Sequence, residues 1–216
     1  MLERGIVVII YRKVKKEDLN QIAKIHKEAF PDYFLTAFGE ELLYEFYNQY
    51  FLNNNIFVVA EENNKIIGFI LGNNSDIPRK KFFNENFYRI SLKVIFELLK
   101  LNKNLWNGIF QRVFFVKEAI ISKFRKNIKI EERIIQNKKS YRLLSIAVNP
   151  KVKGKNIAVE MEKYFCEELL KIGIEEVGLS VKKENIRAIK FYEKCGYFLE
   201  REEEKSKYFN KKLVRS

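Results

Sequence analysis

Val148-Asn149-Pro150-Lys151-Val152-Lys153-Gly154-Lys155-Asn156-Ile157-Ala158 and Asn185-Ile186-Arg187-Ala188-Ile189-Lys190-Phe191-Tyr192-Glu193-Lys194-Cys195-Gly196-Tyr197 decide how this chain is read. The first stretch runs from a strand into a helix. Such a junction leaves backbone N–H groups unpaired at the positive end of the helix dipole, where they bind phosphate without help from a side chain. Lys153 and Lys155 add positive charge there. The second stretch reads as a helix with Asn185 as its N-cap and Gly196 at its close. Tyr192 lies two turns in, on a face shared with Ile189. Taken singly, the first is a turn with a glycine in it and Tyr192 is a core tyrosine with a wet hydroxyl. Beside a phosphate-binding helix start, that tyrosine becomes a candidate proton donor to a leaving group.

Outward from these stretches the periodicity alternates. Leu144, Ile146 and Val148 share one face of a strand, and Val177, Leu179 and Val181 do the same. Between them Ala158, Met161, Phe165, Leu169 and Ile172 form the buried stripe of a helix over 157–172, stopped by Gly173. Residues 197–199 and 207–213 supply two last strands. Upstream, Ile6–Ile10 reads as a first strand and 16–28 as a helix carrying Leu19, Ile22, Ala23 and Ile25. A second helix over 39–51 carries Leu42, Leu43, Phe46 and Tyr50. Strands at 56–60 and 66–71 follow, joined by a polar hairpin loop at 61–65. The class is α/β with α+β character, a mixed central sheet flanked by helices.

Residues 73–140 differ from the rest. Sixteen Lys/Arg against six Asp/Glu give this segment +10 of the chain's net +13. Its two long stretches carry helical stripes, one of Ile90, Val94, Leu98 and Leu101, the other of Trp106, Ile109, Phe110, Val113, Phe114 and Ile121. It reads as a basic helical insertion before the strand at 144–148, inside a single domain spanning 1–216. Three roles are open to it. In order of preference it is the wall of a substrate pocket, a basic surface at a membrane edge, or a nucleic-acid surface.

Composition narrows the function classes. With 47% hydrophobic and 32% charged residues the chain buries a core and is not a disordered tail. Two cysteines, Cys166 and Cys195, do not make a disulfide scaffold and point to a reducing, cytoplasmic setting. A single histidine, His26, argues against a His-based zinc site or a Ser-His-Asp triad, and no metal is expected. No apolar run approaches the ~20 residues that span a bilayer. Ile6–Ile10 is followed by charge with no cleavage site, unlike a signal peptide.

Together the two opening stretches resemble the GNAT (GCN5-related) N-acetyltransferase family. Its helix pattern Asn-x-x-Ala-x-x-Phe-Tyr-x-x-x-Gly-Phe/Tyr is matched throughout by Asn185, Ala188, Phe191, Tyr192, Gly196 and Tyr197. Its loop pattern Arg/Gln-x-x-Gly-x-Gly/Ala is matched loosely. Lys153 stands for the first residue, Asn156 for the first glycine, and Ala158 is permitted. Asparagine adopts the left-handed conformation more readily than most residues, so Asn156 is compatible with the loop. The specific resemblance covers residues 141–200. It implies a GNAT-like sheet that splays between 144–148 and 177–181 to admit acetyl-CoA as co-substrate. It further implies that the backbone of Ala147 and Val148 pairs with the pantetheine arm, and that residues 153–158 (Lys153, Gly154, Lys155, Asn156, Ile157 and Ala158) hold the pyrophosphate. Asn185 would orient the cofactor, and Tyr192 would protonate the CoA thiolate.

Direct attack of a neutral amine also requires a base. Many members of the family place a Glu on the strand before the loop, where this chain has Ser145. His26, Asp32, Tyr33 and Glu40 are candidates from the first helices, and none is assigned; His26 reads most simply as an exposed or satisfied helix residue. The expected acceptor is a small primary amine such as an amino sugar or a phosphorylated amine. The alternatives are a protein N-acetyltransferase and a non-catalytic CoA-binding or partner-binding module. An oligomer is compatible with all three.

Overall fold

The computed structural model describes residues 8–99, 140–152 and 156–214. Seven strands form one sheet: β1 (Ile9–Lys13), β2 (Phe57–Glu62), β3 (Lys65–Asn73), β4 (Ser140–Val148), β5 (Glu176–Lys182), β6 (Phe198–Glu202) and β7 (Ser206–Lys212). Their spatial order is β1-β2-β3-β4-β5-β7-β6, with every pairing antiparallel except β4–β5.

The first strand extends to Lys13, beyond the expected limit at Ile10, and its charged residues do not end it because they find partners. Arg12 Nη1 and Nη2 donate to Asp18 at 2.7 and 2.9 Å, and Arg12 Nε donates to Glu61 at 2.6 Å. Asp18 also accepts from the Lys15 amide at 2.7 Å, which sets the start of α1 (Leu19–Ala29). Residues 6 and 7 of the expected strand lie outside the described residues. The β2–β3 connection is tighter than a five-residue loop. Glu62 pairs with Lys65, leaving a two-residue turn of Asn63 and Asn64 with φ of 50° and 59°. Both lie in the left-handed region that two-residue hairpins of this hand require and that asparagine tolerates.

The alternation along β2 and β3 divides the core in two. Val58, Ala60, Ile67 and Ile70 face α5 (Ile157–Lys171) and pack with Met161, Phe165 and Leu169. Phe57, Val59, Phe69 and Leu71 face α1 and α2 (Gly39–Leu52), where Ile22, Leu42, Phe46 and Tyr47 meet them. The stripe expected on α5 holds at its centre but not at its ends. Ile172 caps the helix and is exposed, and the buried residue at the other end is Ile157 rather than Ala158.

Two helices follow β3, α3 (Ile77–Glu85) and α4 (Phe87–Leu99). The sequence reading passed over α3, although Pro78 in its first turn is a helix-start signal. Phe82 and Ile90 are buried in the α1–α2 cluster and Val94 packs against it, so this part of the insertion covers that face of the sheet. Leu98 and Leu101, the whole stripe from Trp106 to Ile121, and the rest of 100–139 lie outside the described side chains or residues.

A β-bulge reshapes β4. Leu71 pairs with Ser145 while Gly72 pairs with Leu143, which leaves Leu144 as the extra residue. Leu144 is therefore exposed instead of sharing the inward face of Ile146 and Val148. Gly72 allows the close approach: a Cβ there would lie 2.5 Å from Phe165 Cζ and 2.8 Å from Tyr141 Cε1.

Candidate active site

The parallel strands β4 and β5 pair only at Ser140–Glu176, Tyr141–Val177 and Arg142–Gly178. Beyond these residues β4 stays with β3 and β5 stays with β7, so the two diverge toward their carboxyl ends. The result is the splay expected between 144–148 and 177–181, at the end of the strands where open sheets take ligands. Ala147 is buried and Val148 half-buried along this flank, opposite Phe69 and Gly68 on β3.

After Val148 the chain turns sharply. The Asn149 amide donates to Ile67 O at 2.8 Å, Asn149 Oδ1 accepts from Lys151 N at 2.9 Å, and Asn149 O accepts from Val152 N at 2.9 Å. Lys151 Nζ reaches Glu28 Oε1 at 3.1 Å, tying the turn to the end of α1. Lys153, Gly154 and Lys155 lie outside the described residues. Asn156 follows with φ 50° and ψ 24°, the left-handed conformation for which asparagine is suited in place of glycine. Its carbonyl accepts from Val159 N and Glu160 N at 2.9 and 3.1 Å. Among the described residues, the amides of Ile157 and Ala158 have no acceptor. They stand at the positive mouth of α5, an arrangement suited to an anion.

Across the splay, α6 (Ile186–Lys194) begins at Asn185, whose Oδ1 accepts from Ala188 N at 3.1 Å. The cap places Tyr192 on the inner face, where it is buried against Phe191 and Tyr197 with ring centroids 5.2 and 5.6 Å away. Gly196, with φ 83°, ends the helix, and the Tyr197 amide donates to Tyr192 O at 3.0 Å. Burial raises the Tyr192 hydroxyl above the ordinary tyrosine range, with Tyr33, Cys195 and Glu162 adding to the effect. The hydroxyl therefore stays protonated, and a donor, at neutral pH. Tyr33 belongs to the loop between α1 and α2.

The four candidate bases separate clearly. Asp32 and Tyr33 are exposed, and Glu40 is half-buried and held by Lys27 Nζ at 3.0 Å. His26 is neither exposed nor fully satisfied. Its side chain is buried, Nδ1 lies 2.6 Å from Tyr47 Oη, and Nε2 is enclosed without a partner among the described residues. Burial pushes the imidazole down to about 4, so it is neutral at physiological pH. Burial raises the Tyr47 hydroxyl above the ordinary tyrosine range, and Ser145 on β4 opposes that rise. No sequence spacing signals this grouping, because its members come from α1, α2 and β4. Among the described residues, no three His, Cys, Asp or Glu side chains converge as a metal site, and no helix is long and apolar enough to cross a membrane.

Residues 124–197 match the acetyltransferase (GNAT) family, a stretch that contains both the loop and the Tyr192 helix. No curated protein matches the chain. Among solved structures, the PaiA N-acetyltransferase of Thermoplasma acidophilum in complex with coenzyme A superposes with a TM-score of 0.56 at 17% identity, over 95% of this chain and 99% of that one. The putative acetyltransferase YncA of Salmonella typhimurium, with acetyl-CoA, gives 0.56 at 12% identity over 96% and 95%. The ribosomal-protein-S18-alanine N-acetyltransferase of Escherichia coli gives 0.53 at 12% over 97% and 96%. At these identities the likeness is one of fold.

Proposed function

We propose that this chain, an acyltransferase with GNAT-family sequence at 124–197 and the fold of solved N-acetyltransferases, moves the acetyl group of acetyl-CoA onto a small primary amine. The observation that carries the reading is the joint placement of three features around one opening. These are the diverging strands β4 and β5, the amides of Ile157 and Ala158 at the start of α5, and the buried hydroxyl of Tyr192.

In this reading the amides at the start of α5, with Lys153 and Lys155, hold the pyrophosphate. The pantetheine arm runs along Ala147 and Val148 into the gap, and Asn185 orients the cofactor from the far side. The amine enters from the α1–α2 face and attacks the thioester carbonyl carbon directly. As the C–S bond breaks, Tyr192 donates its proton to the CoA thiolate. Binding both reactants in one cleft supplies much of the rate by proximity alone.

A small and preferably anionic acceptor, such as a phosphorylated amine or amino sugar, is favoured by charge. Residues 73–140 carry +10; their described part, 73–99, has five Lys/Arg against three Asp/Glu and packs on the α1–α2 face. Lys93 Nζ there donates to Phe38 O, and Arg89 pairs with Glu41. A field of that sign attracts anions and repels Lys-rich tails. Contact of the same segment with an anionic membrane edge is a secondary expectation, and a nucleic-acid partner is disfavoured. The deciding experiment is an acetyl-transfer assay across amino sugars, phosphorylated amines, polyamines, amino acids and peptides, at two salt concentrations. Turnover of small amines that weakens with salt is the expected result. Efficient acetylation of Lys-rich peptides with small amines inert overturns the acceptor class, and no binding of acetyl-CoA overturns the activity.

A further inference from the structure

Helix α4 carries two apolar faces, and only one of them belongs to the core. Ile90 is buried in the α1–α2 cluster and Val94 packs against it. The basic residues between them are taken up by the fold: Lys93 Nζ donates to Phe38 O, and Arg89 Nη2 lies 2.5 Å from Glu41 Oε1. Tyr88 and Leu92 are 72% and 68% exposed, with the Tyr88 ring resting beside that of Phe87 at 5.6 Å. Four residues apart, they share one face of the helix. Ile95 and Leu99 continue the same spacing to its end. A helix on the surface of a globular domain ordinarily turns charged and polar residues outward. Here the outward positions hold tyrosine and leucine.

We infer that α4 docks this chain on the surface of an anionic lipid bilayer, with Tyr88 and Leu92 entering the boundary between headgroups and acyl chains. This gives the secondary expectation above a named surface, and it does not depend on the acetyl-transfer reading. Its warrant is the combination of that face with charge. Residues 73–99 have five Lys/Arg against three Asp/Glu, or +2, and residues 100–139 have eleven against three, or +8. In the second stretch the cations are interleaved with Trp106, Ile109, Phe110, Val113 and Phe114. Bulky apolar residues set among Lys and Arg are the composition of segments that lie in a membrane interface, where the apolar groups enter the lipid and the cations meet anionic headgroups.

The face suits a bilayer better than the other partner a basic chain attracts. A nucleic acid is held by cations aimed at phosphates, whereas positions 88 and 92 carry none and the neighbouring Arg89 is engaged by Glu41. Nor does the helix cross the membrane. Its 13 residues reach about 20 Å at 1.5 Å each, short of a hydrocarbon core of ~30 Å. No described helix is long and apolar enough to span it. The mode is therefore peripheral. Two inserted side chains are a weak anchor by themselves, and charge by itself is screened by salt. Acting together, the two signals give stable but reversible attachment.

Co-sedimentation of the full chain with phosphatidylcholine vesicles, with and without phosphatidylglycerol, reads the docking directly. The chain should sediment with the phosphatidylglycerol vesicles, be partly released by added salt, and stay in solution with phosphatidylcholine alone. Tyr88→Ser combined with Leu92→Ser should weaken that binding about tenfold. Both positions are exposed, so the variant should keep the wild-type unfolding midpoint. Leu92→Lys separates insertion from charge. Insertion predicts weaker binding in that variant, and tighter binding, as a purely electrostatic surface would give, overturns the role of α4. Failure of the wild type to sediment with anionic vesicles overturns the inference, as does release of the bound chain from them by RNA. Acetyl-CoA titration reads the cofactor site separately and should be unchanged in these variants, so a failure at the vesicles leaves the acetyl-transfer reading standing.

Discussion

Lys211 Nζ on β7 lies 2.9 and 3.1 Å from the two carboxylate oxygens of Glu162 on α5. Cys166 Sγ, one turn further along α5, donates to the same carboxylate at 2.9 Å. Glu162 is buried and Lys211 half-buried, so the pair pins the helix that presents the Ile157 and Ala158 amides to the far half of the sheet. Removing one partner strands the other charge. Glu162→Ala should cost about 3 kcal/mol in denaturant unfolding. Glu162→Leu combined with Lys211→Met should recover most of that loss, because two apolar groups leave no charge unpaired. A double variant no more stable than the single one would mean that the pair does not act as a unit.

Tyr192→Phe removes one hydroxyl and almost no volume. The expected outcome is a fall in kcat of about 100-fold with little change in the dissociation constant for acetyl-CoA, measured by titration. An unchanged kcat with native affinity would return Tyr192 to the core as a packing residue.

His26 makes stability depend on pH. Its folded pKa is pushed down to about 4 from an ordinary 6.5, and burial is the cause. Between those values the unfolded chain takes up a proton that the native chain refuses. Stability is therefore full above pH 6.5 and falls as the pH drops toward 4, by about 3 kcal/mol. Urea unfolding at pH 7, 5.5 and 4.5 should show this slope in the wild type and a reduced one in His26→Gln. Asp18 adds a separate loss at lower pH. Burial opposes its charge, but the bonds from Arg12 and Lys15 outweigh burial and hold its carboxyl below the usual range. Its contribution is present above the unfolded carboxylate value and disappears as pH falls through the folded one.

Asn156 carries the turn into α5 at φ 50°. Asn156→Gly should be close to neutral for both stability and acetyl-CoA affinity. Asn156→Val forces a β-branched residue into the left-handed region, at a cost of about 1–2 kcal/mol. It should weaken acetyl-CoA binding by displacing the neighbouring amides. Thermal shift with and without acetyl-CoA separates the two effects.

Much of this architecture was legible in the sequence because its causes are local. The alternation of Val177, Leu179 and Val181 appears as an inward strand face, and Asn185 caps the helix its position announced. Gly173 and Gly196 end their helices at positive φ, as chain-stopping glycines do. Errors cluster where a distant partner overrides local preference. Arg12 stays in a strand because Asp18 and Glu61 neutralise it. Leu144 turns outward because β3 and β4 pair with a bulge that neither strand reveals alone.

The site divides in the same way. The helix-start loop and Tyr192 lie in two short segments with a recognisable spacing, so the proposed acetyl-CoA site is legible along the chain. What sits opposite was decided by tertiary structure. His26, Tyr47 and Ser145 are separated by 21 residues in the first interval and by the whole basic insertion in the second. Only the packing of α1 against α2 brings His26 to Tyr47. A side chain's hydrogen-bond partner and its burial are properties of that packing. No periodicity along the chain encodes them, which is why a histidine that reads as an exposed or satisfied helix residue is in the fold a buried, neutral imidazole bonded to Tyr47.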